Sequence, residues 1–211
     1  MAISTKAELN TAVANWLNRS DLTARIPEFI SLAEASFNRN LRTRDMLVRS
    51  TASTSSQYVS LPSDFLEMLN IELTSTSPPK RLVYITSDRS DDYRERDNNT
   101  TGTPSYWTIE GVSIQLLPTP SEYVTLQLSY YQDIPPLSGL ADSGSNWILS
   151  AHPDIYLYST LMQASPYIMD SQAGQQWDAL LARSMQELQM ADEKSRYAGG
   201  TLNMRPKYVY S

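Results

Sequence analysis

His152 is the chain's only histidine. It stands beside Pro153 and Asp154 with no serine or cysteine nucleophile motif to serve, so it reads as a helix-start or surface residue rather than a general base. Asp88, Asp91, Asp92, Glu95 and Asp97 offer oxygen ligands to a hard cation. Arg89, Arg94 and Arg96 are threaded through them, however, and the spacing of an EF-hand loop is missing. That run is expected to be a solvated, charged loop with room for one helical turn. No glycine-rich phosphate cradle, G-x-S-x-G elbow or H-E-x-x-H pair occurs. With no cysteine there is neither thiolate chemistry nor a cysteine-ligated metal, and a reducing compartment fits. The residues therefore predict no catalysis, no cofactor and no metal. A carboxylate pair assembled from distant positions, as in a glycosidase, is the one catalytic arrangement this reading leaves open.

Contact chemistry is better represented. Among 13 tyrosines, Tyr123 and Tyr131 fall on the polar face of a predicted strand, where they can stack on sugars, anchor a protein interface, or pack across strands. Arg39, Arg42, Arg44 and Arg49 crowd the exit of the second predicted helix. They can complement the negative end of its dipole or dock an acidic partner surface. The stretch TLNMRPKYVYS mixes Leu202, Met204, Tyr208 and Tyr210 with Arg205 and Lys207, which is too little for a core of its own. It reads as a docking arm that needs an acidic groove to receive it.

The elements that would position these residues follow from periodicity. Leu9, Val13, Trp16 and Leu17 share one helix face, with Ser4 or Thr5 as N-cap and Glu8 in support. Ile26, Ile30, Ala33, Phe37 and Leu41 form the stripe of a second helix that starts at Pro27. From Val48 the period changes to two, with Leu69, Ile71 and Leu73 alternating, and a short candidate strand follows near Arg81–Thr86. Runs on either side of Glu110-Gly111 signal a hairpin, and Val124, Leu126, Leu128 and Tyr130 continue it as an antiparallel meander. Pro135-Pro136 ends the sheet, LSGLADSGSN reads as a flexible link, and helical patterns return after His152 and Asp170 until Gly199-Gly200. Trp177, Leu181, Ser184 and Leu188 mark the last helix.

The expected fold class is α+β: an α-helical bundle with an inserted antiparallel β-sheet domain and an extended C-terminal tail. Residues 1–47 and 146–200 would form the discontinuous bundle, 48–145 the β insertion, and 201–211 the docking arm. The chain carries 17 Lys plus Arg against 23 Asp plus Glu, a net charge of −6, which argues against affinity built on phosphate neutralisation. No window approaches the roughly 18–20 apolar residues of a membrane span, so a protein made in the cytoplasm, away from membranes, is expected.

At TGTPSYWTIEGVSIQLLPTPSEYVTLQLSYYQDIPPLS the chain resembles the head-to-tail adaptor family of short-tailed bacteriophages, the group that includes tail tubular protein A. A G-x-P-x-x-Y strand, a glycine turn, an apolar strand ending in P-x-P and a strand ending in Tyr-Tyr follow in the family's order. LPSDFLEMLNIEL and NWILSAHPDIYLYSTLMQASPYIMD are also similar, so the likeness runs over about residues 58–170. The resemblance implies a structural virion protein at the head-tail junction, made in the bacterial host. It implies a homo-oligomeric ring, twelve-fold like the portal, between the portal protein and the tail nozzle protein. The β domain would be free for neighbours or tail fibres, and DNA would pass through the channel without specific binding. A carbohydrate- or receptor-binding tail component using the tyrosine-rich sheet is the alternative.

Overall fold

In the computed structural model, which describes residues 3–96 and 100–197, the helices and strands follow in this order. The first helices are α1 (Lys6–Leu17) and α2 (Ile26–Asn40). Strands β1 (Leu47–Thr54), β2 (Tyr58–Ser60), β3 (Phe65–Leu73), β4 (Lys80–Arg81) and β5 (Val83–Tyr84) precede α3 (Ser87–Arg96). Then come β6 (Thr101–Gly102), β7 (Tyr106–Glu110), β8 (Ser113–Leu117), β9 (Thr119–Pro120) and β10 (Val124–Gln132). Helices α4 (Trp147–Ala151), α5 (Pro153–Ile168) and α6 (Ser171–Tyr197) complete the described chain. It is an α+β protein with two units: a helical one, made by the chain up to Asp45 and again from Ile134, and a β unit between them, Met46–Asp133.

The helical unit is built on the stripes that the sequence carries. Thr5 caps α1 through a capping box: its Oγ1 accepts the Glu8 N–H at 3.3 Å while the Glu8 carboxylate accepts the Thr5 N–H at 3.1 Å. Leu9 and Val13 of α1, and Ile26, Ile30, Ala33, Phe37 and the following Leu41 of α2, are all buried. Helix α5 supplies the facing layer with Tyr156, Leu157, Leu161 and Ala164, and the Tyr156 ring meets Phe37 edge-on at 5.1 Å. Pro166 falls in the last turn of α5, which ends at Met169 in the left-handed region, φ 56°. Helix α6 lies along α5, and Leu188 is its buried side chain among the described residues.

The segment expected to be a flexible link is instead part of this unit, so the structure divides the chain at 133/134 rather than at 145/146. The Ile134 N–H donates to Asn38 Oδ1 at 2.9 Å and the Leu137 N–H to Glu34 Oε1 at 2.7 Å. The carbonyls of Asp142 and Gly144 accept the N–H groups of Ala7 and Lys6, each at 3.0 Å. Those are donors that the first turn of α1 leaves without helical partners, so a loop rich in glycine and serine finds its order by capping a helix.

The β unit holds two four-stranded sheets, in the orders β1-β10-β3-β4 and β2-β8-β7-β5, and a two-stranded parallel pair β6-β9. Ile71, Leu73, Val124, Leu126 and Leu128 from the first sheet meet Trp107, Ile114 and Leu116 from the second in one core. Gly111, at φ 59°, makes the β7–β8 hairpin turn, as the sequence predicts. The predicted meander is corrected, however: β8 and β10 do not pair but lie in different sheets. Residues 118–123 carry the chain from one sheet to the other, with β9 pairing β6 on the way. The candidate strand near Arg81–Thr86 is likewise divided, β4 in one sheet and β5 in the other.

Two further departures have local causes. In β3, Asn70 faces Ser129 and Met68 faces Tyr130, which leaves Leu69 as an extra residue; this bulge turns Leu69 outward, 43% exposed, where simple alternation would bury it. The charged run forms three helical turns, α3, rather than a loop. Asp88 in its first turn and Arg94 and Arg96 in its last complement the dipole, buried Ser90 donates its hydroxyl to the Ser87 carbonyl at 2.7 Å, and Tyr93 packs on Tyr106 at 5.2 Å.

Candidate docking surfaces

The four arginines are divided between the units. Arg42 Nη1 donates to the carbonyls of Asn38 at 2.8 Å and Leu41 at 2.6 Å, so this side chain closes the C-terminal end of α2. The backbone N–H of Arg44 donates to Asp192 Oδ1, and Arg196 Nε to Asp192 Oδ2, both at 2.8 Å. Arg196 Nη2 also donates to the Arg42 carbonyl at 3.2 Å. Asp192 thus ties α6 to residues 42–44, in a two-sided link that no local sequence pattern announces. The Arg39 and Arg44 side chains are exposed on the helical unit. Arg49 belongs to the β unit, where it faces Ser129 across the β1–β10 ladder and is also exposed.

The two tyrosines separate. Tyr123, just before β10, is 70% exposed. Tyr131 is 7% exposed, and its expected place on an open polar face is corrected. It sits on a central strand, between Leu47 of β1 and Glu67 of β3. Register shifts against β3 on both sides of the Tyr130-Tyr131 pair break the alternation, and consecutive tyrosines are both withdrawn from solvent. Tyr130 keeps a polar outlet by donating its hydroxyl to Asp64 Oδ1 at 3.0 Å. Leu202, Met204, Arg205, Lys207, Tyr208 and Tyr210, and the glycines 199 and 200, lie outside the described residues.

Sequence reasoning missed a buried polar cluster in the helical unit. Glu34 interrupts the apolar stripe of α2 and is buried, and Oε1 accepts both the Leu137 N–H and the Tyr156 hydroxyl, the latter at 3.2 Å. Asn146 donates through Nδ2 to Tyr156 at 2.6 Å and to the Pro135 carbonyl at 2.9 Å, while its Oδ1 caps α4 by accepting the Leu149 N–H at 3.0 Å. Burial raises the Glu34 carboxyl above its ordinary pKa, against the lowering effect of its two hydrogen bonds and of Lys6. Burial also raises the Tyr156 hydroxyl, and the nearby Glu34 carboxylate adds to that. The signal available was the position of Glu34, a carboxylate on the apolar side of a helix. The cluster orders the segment 134–146 against α2 and α5, a scaffolding task.

At the α5–α6 turn a groove of about 520 Å³ opens between Met162, Pro166 and Met169 on one side and α6 on the other, with Asp170 and Asp178 among its lining residues. A polar hollow of about 430 Å³ in the β unit is lined by Arg89, Arg96, Tyr93 and Tyr106. Among the described residues there is no cluster of three or more side chains able to hold a metal ion, and no helix is long and apolar enough to cross a membrane.

Both units thus expose charged side chains, and the β unit an aromatic one, Tyr123. The chain belongs to the SU10 adaptor protein family, which it matches over residues 4–205, and so to a family of bacteriophage head-to-tail adaptors. No curated protein matches the sequence. Membership implies a structural, non-enzymatic virion component at the head-tail junction that binds portal and tail components.

Proposed function

We propose that copies of this chain form a ring, twelve-fold like the portal, that joins the portal protein to the tail nozzle protein and leaves a channel for DNA. The observation that carries this reading is the family match, which spans both units rather than one shared module. Surface chemistry supports it. The exposed Arg39 and Arg44 can meet acidic neighbours, and Tyr123 offers an aromatic anchor on the β unit, where neighbours or tail fibres would attach. The net charge of −6 suits a conduit that does not hold DNA. In this reading the β unit is an insertion that serves contacts, and residues 201–211 are an arm that docks during assembly.

The test is a mass measurement of the purified chain with and without its cognate portal protein. A ring that forms on the portal, with the isolated chain largely monomeric, is the expected outcome. A chain that never joins the portal would overturn the proposal. The carbohydrate-binding alternative has lost half of its tyrosine pair, because Tyr131 is buried.

A further inference from the structure

We infer that the groove at the α5–α6 turn is the seat for residues 202–210 of a second copy of this chain. The inference rests on the adaptor reading only in that copies must stand side by side.

The groove has an unusual chemistry for a free surface. Met169 ends α5 with a large apolar side chain that is 92% exposed, next to Met162 and Pro166. Its acidic side is equally distinct. Asp170 uses Oδ1 to accept the Ala173 N–H at 2.9 Å, capping α6, and so sets its charge against that helix's positive end. Asp178, about two turns further on, has no ion pair among the described residues. Gly174 lets α6 pass close to α5: a Cβ there would stand 3.1 Å from the Ser165 Cβ, so the groove has a floor of close-set helix. An apolar trough with uncompensated carboxylate asks for a ligand that is apolar and cationic at once.

The chain carries such a segment. Residues 202–210 combine Leu202, Met204, Tyr208 and Tyr210 with Arg205 and Lys207 and include no acidic side chain, on a chain whose net charge is −6. Geometry favours a neighbour's segment over the chain's own. From Asp178 to Tyr197 the helix rises about 1.5 Å per residue, which sets the groove roughly 28 Å from the end of α6. A fully extended chain spans at most about 3.3–3.6 Å per residue, so Met204 reaches only about 25 Å back from position 197. Within one copy Leu202 and Met204 fall short of Asp178, and although Lys207 can span about 33–36 Å, the Met169 end of the groove lies roughly 40 Å from Tyr197 along α6, at the limit of what Tyr208 spans fully extended. A neighbour's segment meets no such limit. One groove and one segment per copy make a head-to-tail contact that closes in a ring.

The experiment places a photo-cross-linking amino acid at Tyr208 in rings assembled on the portal from a mixture of isotope-labelled and unlabelled chains. Mass spectrometry should find mixed-isotope cross-links to peptides holding Met162 or Met169. Asp178→Lys should lower their yield about tenfold, and Lys207→Glu in the same chain should restore it. Met169→Asn should also lower the yield without moving the melting temperature, since this side chain is exposed and Asn accepts the left-handed backbone. Cross-links confined to one copy, cross-links to the portal or elsewhere on this chain, or a yield indifferent to position 178 would each overturn the inference while leaving the ring intact. Absence of any ring on the portal would instead fail the adaptor reading, and the inference with it.

Discussion

Glu34 is a carboxylate that accepts two hydrogen bonds yet has no room to be solvated. Its folded-state pKa is raised above the ordinary 4.5, so the folded chain holds this proton more tightly than the unfolded chain does. The stability it contributes is therefore fully present below about pH 4.5 and is lost as the pH rises through the folded value. Glu34→Gln keeps an Oε1 acceptor for both the Leu137 N–H and the Tyr156 hydroxyl while removing the charge. It should leave the protein as stable as before at pH 7, or about 1 kcal/mol more so, and flatten the dependence of the urea midpoint on pH above 4.5. Glu34→Ala, which strands both donors, should cost about 2–4 kcal/mol. The tyrosines give a second contrast. Tyr131→Ala should destabilise the β unit by about 3–5 kcal/mol, and Tyr123→Ala should change its melting by no more than about 0.5 kcal/mol while weakening assembly or fibre attachment. Equal melting curves for the two variants would contradict their burial.

The long helix α6 shows how an element can be stable with little of it buried. Trp177 is half-buried and shares an aromatic group with Trp16 of α1, at 5.4 Å, and Tyr158 of α5, stacked at 6.3 Å; Trp16 itself is 50% exposed. Trp177→Ala should accordingly cost about 1–2 kcal/mol in a denaturant titration, well short of a core truncation. The helices were legible because a periodic stripe is a local property: Ile26, Ile30, Ala33, Phe37 and Leu41 are all found where the pattern puts them. The sheets were legible only as strands. Nothing local to β8 and β10 says whether two alternating runs pair with each other or face each other across a core, and the bulge at Leu69 is visible only against its partner strand. Helix α3 was hidden because charged residues carry little periodicity, and its footing on Tyr106 depends on a residue ten positions beyond its end. Of the docking candidates, the exposure of Tyr123 was readable from its place on the polar side of the alternation that runs into β10. The acidic groove needed α5 and α6 to be brought together.

For the whole molecule, the caps and core contacts described above are all made among residues 3–197. Deleting residues 201–211 should therefore leave the melting temperature nearly unchanged, while co-sedimentation with the portal is abolished or greatly weakened. Normal attachment by the shortened chain would refute a docking role for the arm. Family membership was legible from a run of weak motifs in order, because proline- or glycine-bounded strand ends and helix starts are local properties of a sequence. Surface partners leave no comparable mark on a single sequence.

The ladder between β1 and β10 also bears on how such a molecule can change over time. Leu47 pairs with Tyr131, so the strand that brings the chain into the β unit and the strand that takes it out run side by side at that end. Seen from the helices, residues 46–133 behave like a short hairpin whose stem is already clamped, and closing so small a gap costs the same entropy however much chain hangs beyond it. The insert can therefore be lengthened, trimmed or exchanged for another body with neighbouring ends without reopening the design of the bundle. On the proposed reading, attachment specificity can diverge in the insert at its own pace while the helical part keeps its contacts with neighbouring copies.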